Sequence, residues 1–202
     1  VWVTEKIHGT NFRCGWVPAV PSTLFKKLLK LIGLLPKWEF VYGSHNVQLQ
    51  DKWTYSGYVA EDVYAKAVQA YGLRELLKPG EVVYGEIYGT GLQKDYTYGC
   101  KDGETKLVLF DVKLNDMYVD CHEFFSFCAM RELPTVPVIY QGPFNLEYIK
   151  GLNKGDSVLE PTQKVREGVV VKPSQEAVCF IGRKILKFVS DTYLLKEPTD
   201  FH

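Results

Sequence analysis

A lysine near the start of the sequence has the surroundings of a catalytic nucleophile. Lys6 directly follows a short run of β-branched and aromatic residues, and Gly9 stands three positions later. A glycine at that distance lets the backbone turn sharply and lets a ligand approach the chain closely. A lysine amine at the mouth of such a pocket suits covalent catalysis, in which the deprotonated amine attacks an electrophile. The pattern is short, and a surface lysine beside a turn accounts for it equally well.

An acidic residue, Glu86, stands between two glycines in the segment Val82–Gly89. Alternation along a strand places Glu86 and Tyr84 on one face. The carboxylate has the chemistry to accept hydrogen bonds from a ribose or to hold a metal ion, and an exposed charge on a half-solvated strand is the structural alternative. In the apolar run Leu107–Val112, the alternatives for Phe110 are a place in the core and contact with a nucleobase.

Further lysines interrupt apolar strands near the end of the sequence. Lys172 shares a strand face with Val170 and Gly168, so a cation joins an otherwise apolar surface and requires an anion nearby. Lys184 and Lys187 lie an odd number of residues apart and therefore face opposite sides of a strand. At most one of these two lysines shares a pocket with Lys172.

Composition restricts the class of protein. The 202 residues are 46% hydrophobic, 14% aromatic and 24% charged, which excludes a disordered tail, a collagen-like repeat and a long coiled coil. Lys and Arg total 24, as do Asp and Glu. Any anion site must therefore be a local concentration of cations.

The five cysteines are irregularly spaced and contain no C-x-x-C pair, so we expect free thiols in a reducing, intracellular compartment, the cytoplasm. No apolar run is long enough to predict a membrane span.

The elements that must position these residues are mainly short strands. The mixture predicts an α+β fold in which antiparallel strands outnumber peripheral helices. Predicted strands are Val1–Val3, Glu39–Tyr42, Glu81–Tyr88, Lys106–Leu114, Val136–Tyr140, Gly168–Lys172, Ala177–Ile181 and Lys184–Val189. Predicted helices are Ser22–Leu35, Ala60–Leu77, Cys121–Arg131 and a turn at Phe144–Lys150.

The segment Ser22–Leu35 forms an amphipathic pattern with a leucine stripe and a lysine arc. A helix facing a membrane surface or RNA is one interpretation. We favour a surface helix that packs over the sheet and leaves its lysines in solvent.

Five segments, taken in order, resemble the signature of the covalent nucleotidyltransferase superfamily of polynucleotide ligases and messenger-RNA capping enzymes. Its motifs I, III, IIIa, IV and V match Lys6–Gly9, Tyr84–Gly89, Leu109–Val112, Glu167–Pro173 and Ile185–Lys187. DNA ligases and capping enzymes carry Asp at the third position of motif I. The E-K-x-H-G-x-N form found here, with His8 and Asn11, is typical of the RNA ligase 2 family and its RNA-editing relatives.

The resemblance implies an ATP-grasp-like ligase adenylation domain that covers residues 1–202 as a single nucleotidyltransferase domain. It implies that Lys6 attacks ATP to form a lysine–AMP intermediate, with Lys172 and Lys187 as further catalytic lysines. AMP then passes to a 5′-phosphate RNA end, and a 3′-OH displaces it to form the phosphodiester. Mg²⁺ or Mn²⁺ would be bound by Glu167. A step after adenylation would need His8.

Nucleotide contacts follow from the same resemblance. Glu86 would bond the ribose, Phe110 would stack on adenine, and Glu5 would read the adenine amino group through its backbone or side chain. Asn11 and Glu167 would lie on the phosphate side. The family's basic residue after motif I corresponds most nearly to His45, and the second motif V lysine has no counterpart two positions from Lys187.

The family pattern also extends beyond this sequence. The sequence begins with Val1 inside a predicted strand, so we expect a preceding segment. It ends at His202 without the C-terminal ligase domain of family members, so we expect that domain to be absent, with a protein partner as one way to replace it. Two alternatives stay open at this point: a capping-type guanylyltransferase that uses GTP, and a noncatalytic nucleotide- or RNA-binding module derived from a ligase. NAD is a third donor to be compared with ATP and GTP.

Overall fold

The computed structural model describes residues 1–20, 31, 33, 35–44, 48–50 and 62–196, with side chains left out at 48–50 and 196. In this part of the chain the strands are β1 (Trp2–Lys6), β2 (Thr10–Pro18), β3 (Trp38–Gly43), β4 (Gln48–Gln50), β5 (Glu81–Gly89), β6 (Thr105–Leu114), β7 (Met117–Tyr118), β8 (Val138–Gln141), β9 (Gly168–Lys172), β10 (Val178–Cys179), β11 (Gly182–Arg183) and β12 (Leu186–Val189). The helices are α1 (Val63–Ala70), α2 (Leu73–Leu76), α3 (Cys121–Ala129), α4 (Leu146–Gly151) and α5 (Asp191–Lys196).

The chain folds into two compact units. Unit 1 comprises Val1–Thr10, Glu86–Phe110 and Val119–His202, and unit 2 comprises Asn11–Gly85 and Asp111–Tyr118. Strands β5 and β6 each contribute residues to both units. The single-domain organisation expected from the sequence stays a prediction.

The main sheet of unit 1 has four antiparallel strands in the order β12-β9-β1-β8. Alternation along β1 and β9 divides its residues between two faces. One face holds an apolar cluster that includes Val3, Val169, Val171 and Ile149 of α4, each at most 3% exposed. The opposite face holds Lys6 and the other even-numbered residues of these two strands.

Helix α3 of unit 1 forms on an amphipathic segment. The buried residues of the helix include Phe124, Phe127 and Cys128. Asp120 has an extended backbone conformation, and the helix begins at the next residue. Phe125 stacks on Trp2 of β1, with ring centroids 4.9 Å apart. The helix therefore packs on the sheet face that carries the lysines, at the end where β1 begins.

Unit 2 is built on a six-stranded sheet with the order β4-β3-β2-β5-β6-β7. Gly15 of β2 lies against the Glu81 carbonyl so closely that a Cβ there would come within 2.2 Å of the oxygen. Helices α1 and α2 occupy the segment predicted as one helix, Ala60–Leu77. Gly72 has φ +57° and interrupts it, because the left-handed conformation ends one helix before the next begins.

Other sequence predictions also differ from the structure at their ends. Strand β1 continues to Lys6 instead of ending at Val3, and β2 had no predicted counterpart because Gly15 and Pro18 weaken its pattern. The predicted strand Ala177–Ile181 is instead a small hairpin of β10 and β11. The helix predicted at Ser22–Leu35 lies mostly outside the described residues. No described helix has the length and apolarity required to span a bilayer.

Candidate active site

The nucleophile predicted from the sequence, Lys6, lies at the end of β1 in unit 1. Its neighbour across the sheet is Gly168, the first residue of β9, so Glu167 comes directly beside it. The Lys6 ammonium donates a hydrogen bond to Glu167 Oε1. Lys6 is 25% exposed and Glu167 is 7% exposed. Strand register thus holds a solvent-accessible amine against a buried carboxylate.

The three lysines predicted to be catalytic share one face of the unit 1 sheet. Lys6 lies opposite Gly168 and Lys172 lies opposite Trp2, so these lysines are four positions apart along the strands, roughly 13 Å at about 3.3 Å per residue. Lys187 of β12 lies opposite Val170, and residues opposite each other point to the same face. The sequence left open whether Lys184 or Lys187 joins Lys172 on one face, and the register of β12 with β9 assigns Lys187.

Lys172 has a defined position at the far end of this face. Its ammonium donates a hydrogen bond of 2.5 Å to the backbone carbonyl of Phe110 and lies 5.8 Å from the ring centroid of Phe124. Phe110 itself is half-buried and packs against an apolar cluster of unit 1. Its backbone carbonyl therefore holds the lysine. Its ring packs on the apolar core and stays partly accessible, and contact with a nucleobase stays a prediction.

His8 is enclosed by aromatic rings. The Tyr98 hydroxyl accepts a hydrogen bond of 2.9 Å from the His8 backbone N–H. The Tyr193 hydroxyl lies 3.3 Å from His8 Nδ1, and the Tyr96 ring packs edge-on against the imidazole. Glu167 Oε2 lies 3.7 Å from the same Nδ1. The imidazole is thus held next to the carboxylate that binds Lys6.

Glu86 belongs to the same electrostatic group. Burial is the main cause that raises the pKa of Glu86 from its ordinary value of 4.5 to about 7. The Lys6 ammonium opposes this rise, the Glu167 carboxylate adds to it, and His8 and Lys187 oppose it more weakly. The side chain that the sequence placed at a ribose therefore interacts electrostatically with Lys6, Glu167, His8 and Lys187.

Gly9 explains how the turn after β1 comes close to this acid. A Cβ at Gly9 would lie 2.2 Å from the Ile87 carbonyl oxygen and 3.1 Å from Glu86 Cγ. The Gly9 carbonyl in turn accepts a hydrogen bond of 2.9 Å from the Gln93 side chain. Any larger residue at position 9 would push the turn away from β5.

The Glu5 side chain points to the opposite sheet face from Lys6. Its carboxylate is 1% exposed, and Oε2 accepts hydrogen bonds from the backbone N–H groups of Val158 and Leu159, at 2.7 and 3.0 Å. The side chain fixes a loop of unit 1. The carboxylate is therefore engaged within the protein, and a contact of Glu5 with adenine stays a prediction.

The remaining predicted contacts lie elsewhere. Asn11 is the first residue of unit 2 and is half-buried on β2. His45 lies outside the described residues. Lys184, the lysine not assigned to the face, lies between β11 and β12, where its N–H donates to the Ala177 carbonyl.

Several residues that support this group had no signal in the sequence. Tyr98 and Tyr193 reach His8 from distant segments, and Tyr98 adopts φ +49°, which sequence patterns do not reveal for a non-glycine residue. Arg166 precedes Glu167 and is 8% exposed. Its guanidinium donates to the carbonyls of Leu152 and Asp156, which secures the approach to β9.

The residues suited to a metal ion are carboxylates. Among the described residues, no group of three or more His, Cys, Asp or Glu side chains forms a closed metal site. Glu167 Oε2 is nevertheless a buried oxygen without a hydrogen-bond partner. Such an oxygen suits a hard divalent cation that keeps several waters and uses few protein ligands.

A comparison with known protein families identifies the family to which this chain belongs. The family model for RNA ligases matches residues 1–189, nearly the whole chain. The chain belongs to the RNA ligase family, as its motifs indicated.

Solved structures show the same fold. A Naegleria gruberi RNA ligase with PPi is 20% identical and has a TM-score of 0.68, with 96% of this chain and 50% of that chain covered. A mutant of the same ligase with ATP and Mn is also 20% identical and has a TM-score of 0.69, with 96% of this chain and 51% of that chain covered. Another mutant, with AMP and Mn, is 20% identical and has a TM-score of 0.70, with 97% of this chain and 51% of that chain covered. The predicted α+β nucleotidyltransferase fold is confirmed, and the chain spans about half the length of the chains it matches.

Proposed function

We propose that this chain is the adenylation domain of an ATP-dependent RNA ligase. The observation that carries the proposal is the shared sheet face on which Lys6, Lys172 and Lys187 lie, with Glu167 bonded to Lys6. Membership in the RNA ligase family supports the same chemistry. The Naegleria gruberi ligases with ATP, AMP and Mn support the choice of donor and metal.

The first step forms a bond between Lys6 Nζ and the α-phosphorus of ATP. The bond from that phosphorus to the bridging oxygen breaks, and pyrophosphate leaves with the electron pair. An amine with a pKa near 10.4 is protonated at neutral pH and cannot attack. Glu167 accepts the hydrogen bond of the Lys6 ammonium and is therefore placed to take up its proton.

Two further bond exchanges complete the reaction. A 5′-phosphate oxygen of RNA attacks the adenylyl phosphorus, which breaks the bond to Lys6 and restores the amine. A 3′-OH then attacks the RNA phosphorus, a new phosphodiester forms and AMP leaves. The His8 imidazole lies beside the Glu167 carboxylate and the Tyr193 hydroxyl, and we assign it to these later steps on the family resemblance.

Lys172 and Lys187 stabilise developing charge on the nonbridging phosphate oxygens. Cations on a fixed sheet face need no reorganisation when the reaction proceeds, and this pre-arrangement is the main source of electrostatic catalysis. The Phe110 carbonyl keeps Lys172 in place.

Mg²⁺ or Mn²⁺ would be held by Glu167, whose Oε2 has no hydrogen-bond partner, with Glu86 as the second acid close to it. A divalent ion supplies charge neutralisation to a triphosphate.

Nucleotide contacts are proposed for the Glu86 carboxylate at the ribose, the Phe110 ring at adenine and the Glu5 backbone at the adenine amino group. Asn11 and His45 are proposed for the phosphates.

The RNA ends, with their 5′-phosphate and 3′-OH groups, are the proposed substrates. We propose that part of the contact to these ends comes from outside the 202 residues, from a protein partner or from further parts of the same protein.

We also propose a reducing compartment for this chain, because the described residues include five free cysteines, four of them buried.

The experiment that tests the proposal is covalent labelling. The protein is incubated with α-labelled ATP and magnesium and then separated under denaturing conditions. We expect label on the wild type and on Lys154→Ala, a control at an exposed lysine of the same unit, and none on Lys6→Ala. GTP and NAD in place of ATP test the donor. Label retained by Lys6→Ala, or tight ATP binding without label on the wild type, would refute the proposal.

A further inference from the structure

Unit 2 contains a cavity of about 470 Å³ that has no part in the chemistry described above. That volume is within the range of small-molecule and cofactor sites. Its apolar surface comes from residues such as Val17, Val41 and Val82. Its polar groups come from Arg13, Tyr84 and Lys113.

Arg13 is the first reason to expect an anion in this cavity. It is half-buried on β2, and within the described part of the chain no carboxylate lies within ion-pair distance of its guanidinium. Its charge acts on the Tyr84 side chain and lowers the pKa of that phenol against the larger effect of burial. A cation in an apolar cavity is costly unless an anion accompanies it.

Lys113 is the second cation at the cavity. Its ammonium lies 5.0 Å from the ring centroid of Tyr118 and bonds Asp116 Oδ1 at 2.8 Å. The Asp116 side chain is 91% exposed, so water screens this pair and a bound anion can replace it. The Asp116 carboxylate lines the same cavity and would repel an anion unless Lys113 stays between them.

Tyr84 adds a neutral phenol and an aromatic ring. Burial and a hydrogen bond with the Tyr118 side chain raise the pKa of Tyr84, so its hydroxyl stays protonated near neutral pH and adds no negative charge to the cavity. Its ring lies 5.5 Å from that of Tyr118. Two cations, a phenol and an apolar floor together match a phosphate that carries a flat organic body.

We propose that this cavity binds one nucleotide of the single-stranded RNA substrate, with its phosphate on Arg13 and Lys113 and its apolar part on the valines. The inference rests on the proposed function for the identity of the ligand. It adds a recognition site in unit 2 that is separate from the nucleophile and the acids of unit 1.

The test is a binding titration with a 5′-phosphorylated single-stranded RNA oligonucleotide that carries a fluorophore at its 3′ end. We expect Arg13→Gln to weaken binding roughly tenfold and to lower the salt dependence by about one phosphate contact. Lys113→Gln should behave in the same way. Arg13→Lys retains the charge and should retain the salt dependence. The control, Lys66→Gln, changes an exposed lysine of α1 that does not line the cavity.

Labelling with ATP separates this inference from the ligase proposal. Arg13→Gln should form the lysine–AMP adduct at the wild-type ATP concentration dependence. A raised ATP requirement would instead assign the cavity to ATP and overturn the inference, as would wild-type RNA affinity in both glutamine variants. If the wild type forms no adduct but the variants lose RNA binding, the ligase proposal fails and the RNA site stands.

Discussion

The two units each contain a lysine–carboxylate ion pair, and the pairs differ mainly in burial. In unit 1 the Lys6 ammonium binds Glu167, whose side chain is 7% exposed. In unit 2 Lys113 binds Asp116, whose side chain is 91% exposed. Exposed pairs contribute little to stability, whereas a buried charge depends on its partner. The first pair can therefore hold the nucleophile in a fixed position, and the second can give way to a ligand.

Local structure explains the difference. Glu167 comes directly before β9, and the register of β1 with β9 places it beside Lys6. Asp116 lies in the turn between β6 and β7, where it has φ +69° and its neighbour Asn115 has φ +50°. Turns of this kind lie at the surface. Strand pairing at the end of β1 fixes one pair, and a hairpin tip exposes the other.

Removing the buried carboxylate should have the largest effect. We expect Glu167→Gln to slow adduct formation by roughly 10²- to 10³-fold, because the amine loses its proton acceptor. Initial rates of labelling with ATP measure this. The control is Glu147→Gln, which removes the exposed carboxylate of the Lys150–Glu147 pair in unit 1. Equal rates in the two variants would show that burial of the carboxylate has no catalytic role.

Lys172→Ala should have the next largest effect. The loss of one fixed cation should slow adduct formation by roughly 10²-fold. Thermal unfolding should stay cooperative, because Lys172 is half-buried and its replacement leaves the backbone pairing of β9 with β1 and β12 in place. Lys150→Ala serves as the exposed control. If Lys172→Ala loses its cooperative transition, the lysine is structural.

Glu86→Gln should change the pH dependence of stability. The folded-state pKa of Glu86 is raised from 4.5 to about 7, so the folded state binds the proton more tightly than the unfolded state does. This contribution is complete below pH 4.5 and is lost as the pH rises through 7. We expect wild type to lose roughly 2 to 3 kcal/mol relative to Glu86→Gln between pH 4 and pH 8. Parallel denaturant-unfolding profiles against pH would contradict the raised pKa.

The smallest effect should come from Asp116→Asn. The exposed pair with Lys113 is screened by water, so the thermal midpoint should stay at the wild-type value. Calorimetry on this variant beside Glu167→Gln compares the two pairs directly. A large fall in the midpoint of Asp116→Asn would end the distinction between a buried pair and an exposed one.

The sequence predicted the fold class and the faces on which charged residues lie, and it predicted the boundaries of the elements less well. Alternation in Gly168–Lys172 correctly placed Lys172 on a face with Val170, because a strand has a fixed period. The same rule allowed only one of Lys184 and Lys187 on that face. It could not choose between them, because the choice depends on where β12 begins and with which residue it pairs.

The tertiary contacts of the site were beyond the reach of sequence patterns. The Glu5 carboxylate binds backbone N–H groups more than 150 residues away, and the sequence contains no trace of that distance. Tyr193 reaches His8 in the same way. The cavity of unit 2 was missed because Arg13 and Lys113 belong to separate strands, neither of which carries a recognised motif.

Peptide mapping of the adenylylated protein tests the central claim most directly. The wild type is incubated with ATP and magnesium and digested, and the position of AMP is determined by tandem mass spectrometry. The account predicts AMP on Lys6 and on no other residue. AMP attached to a different lysine, or an unmodified Lys6 under conditions where RNA is sealed, would contradict it.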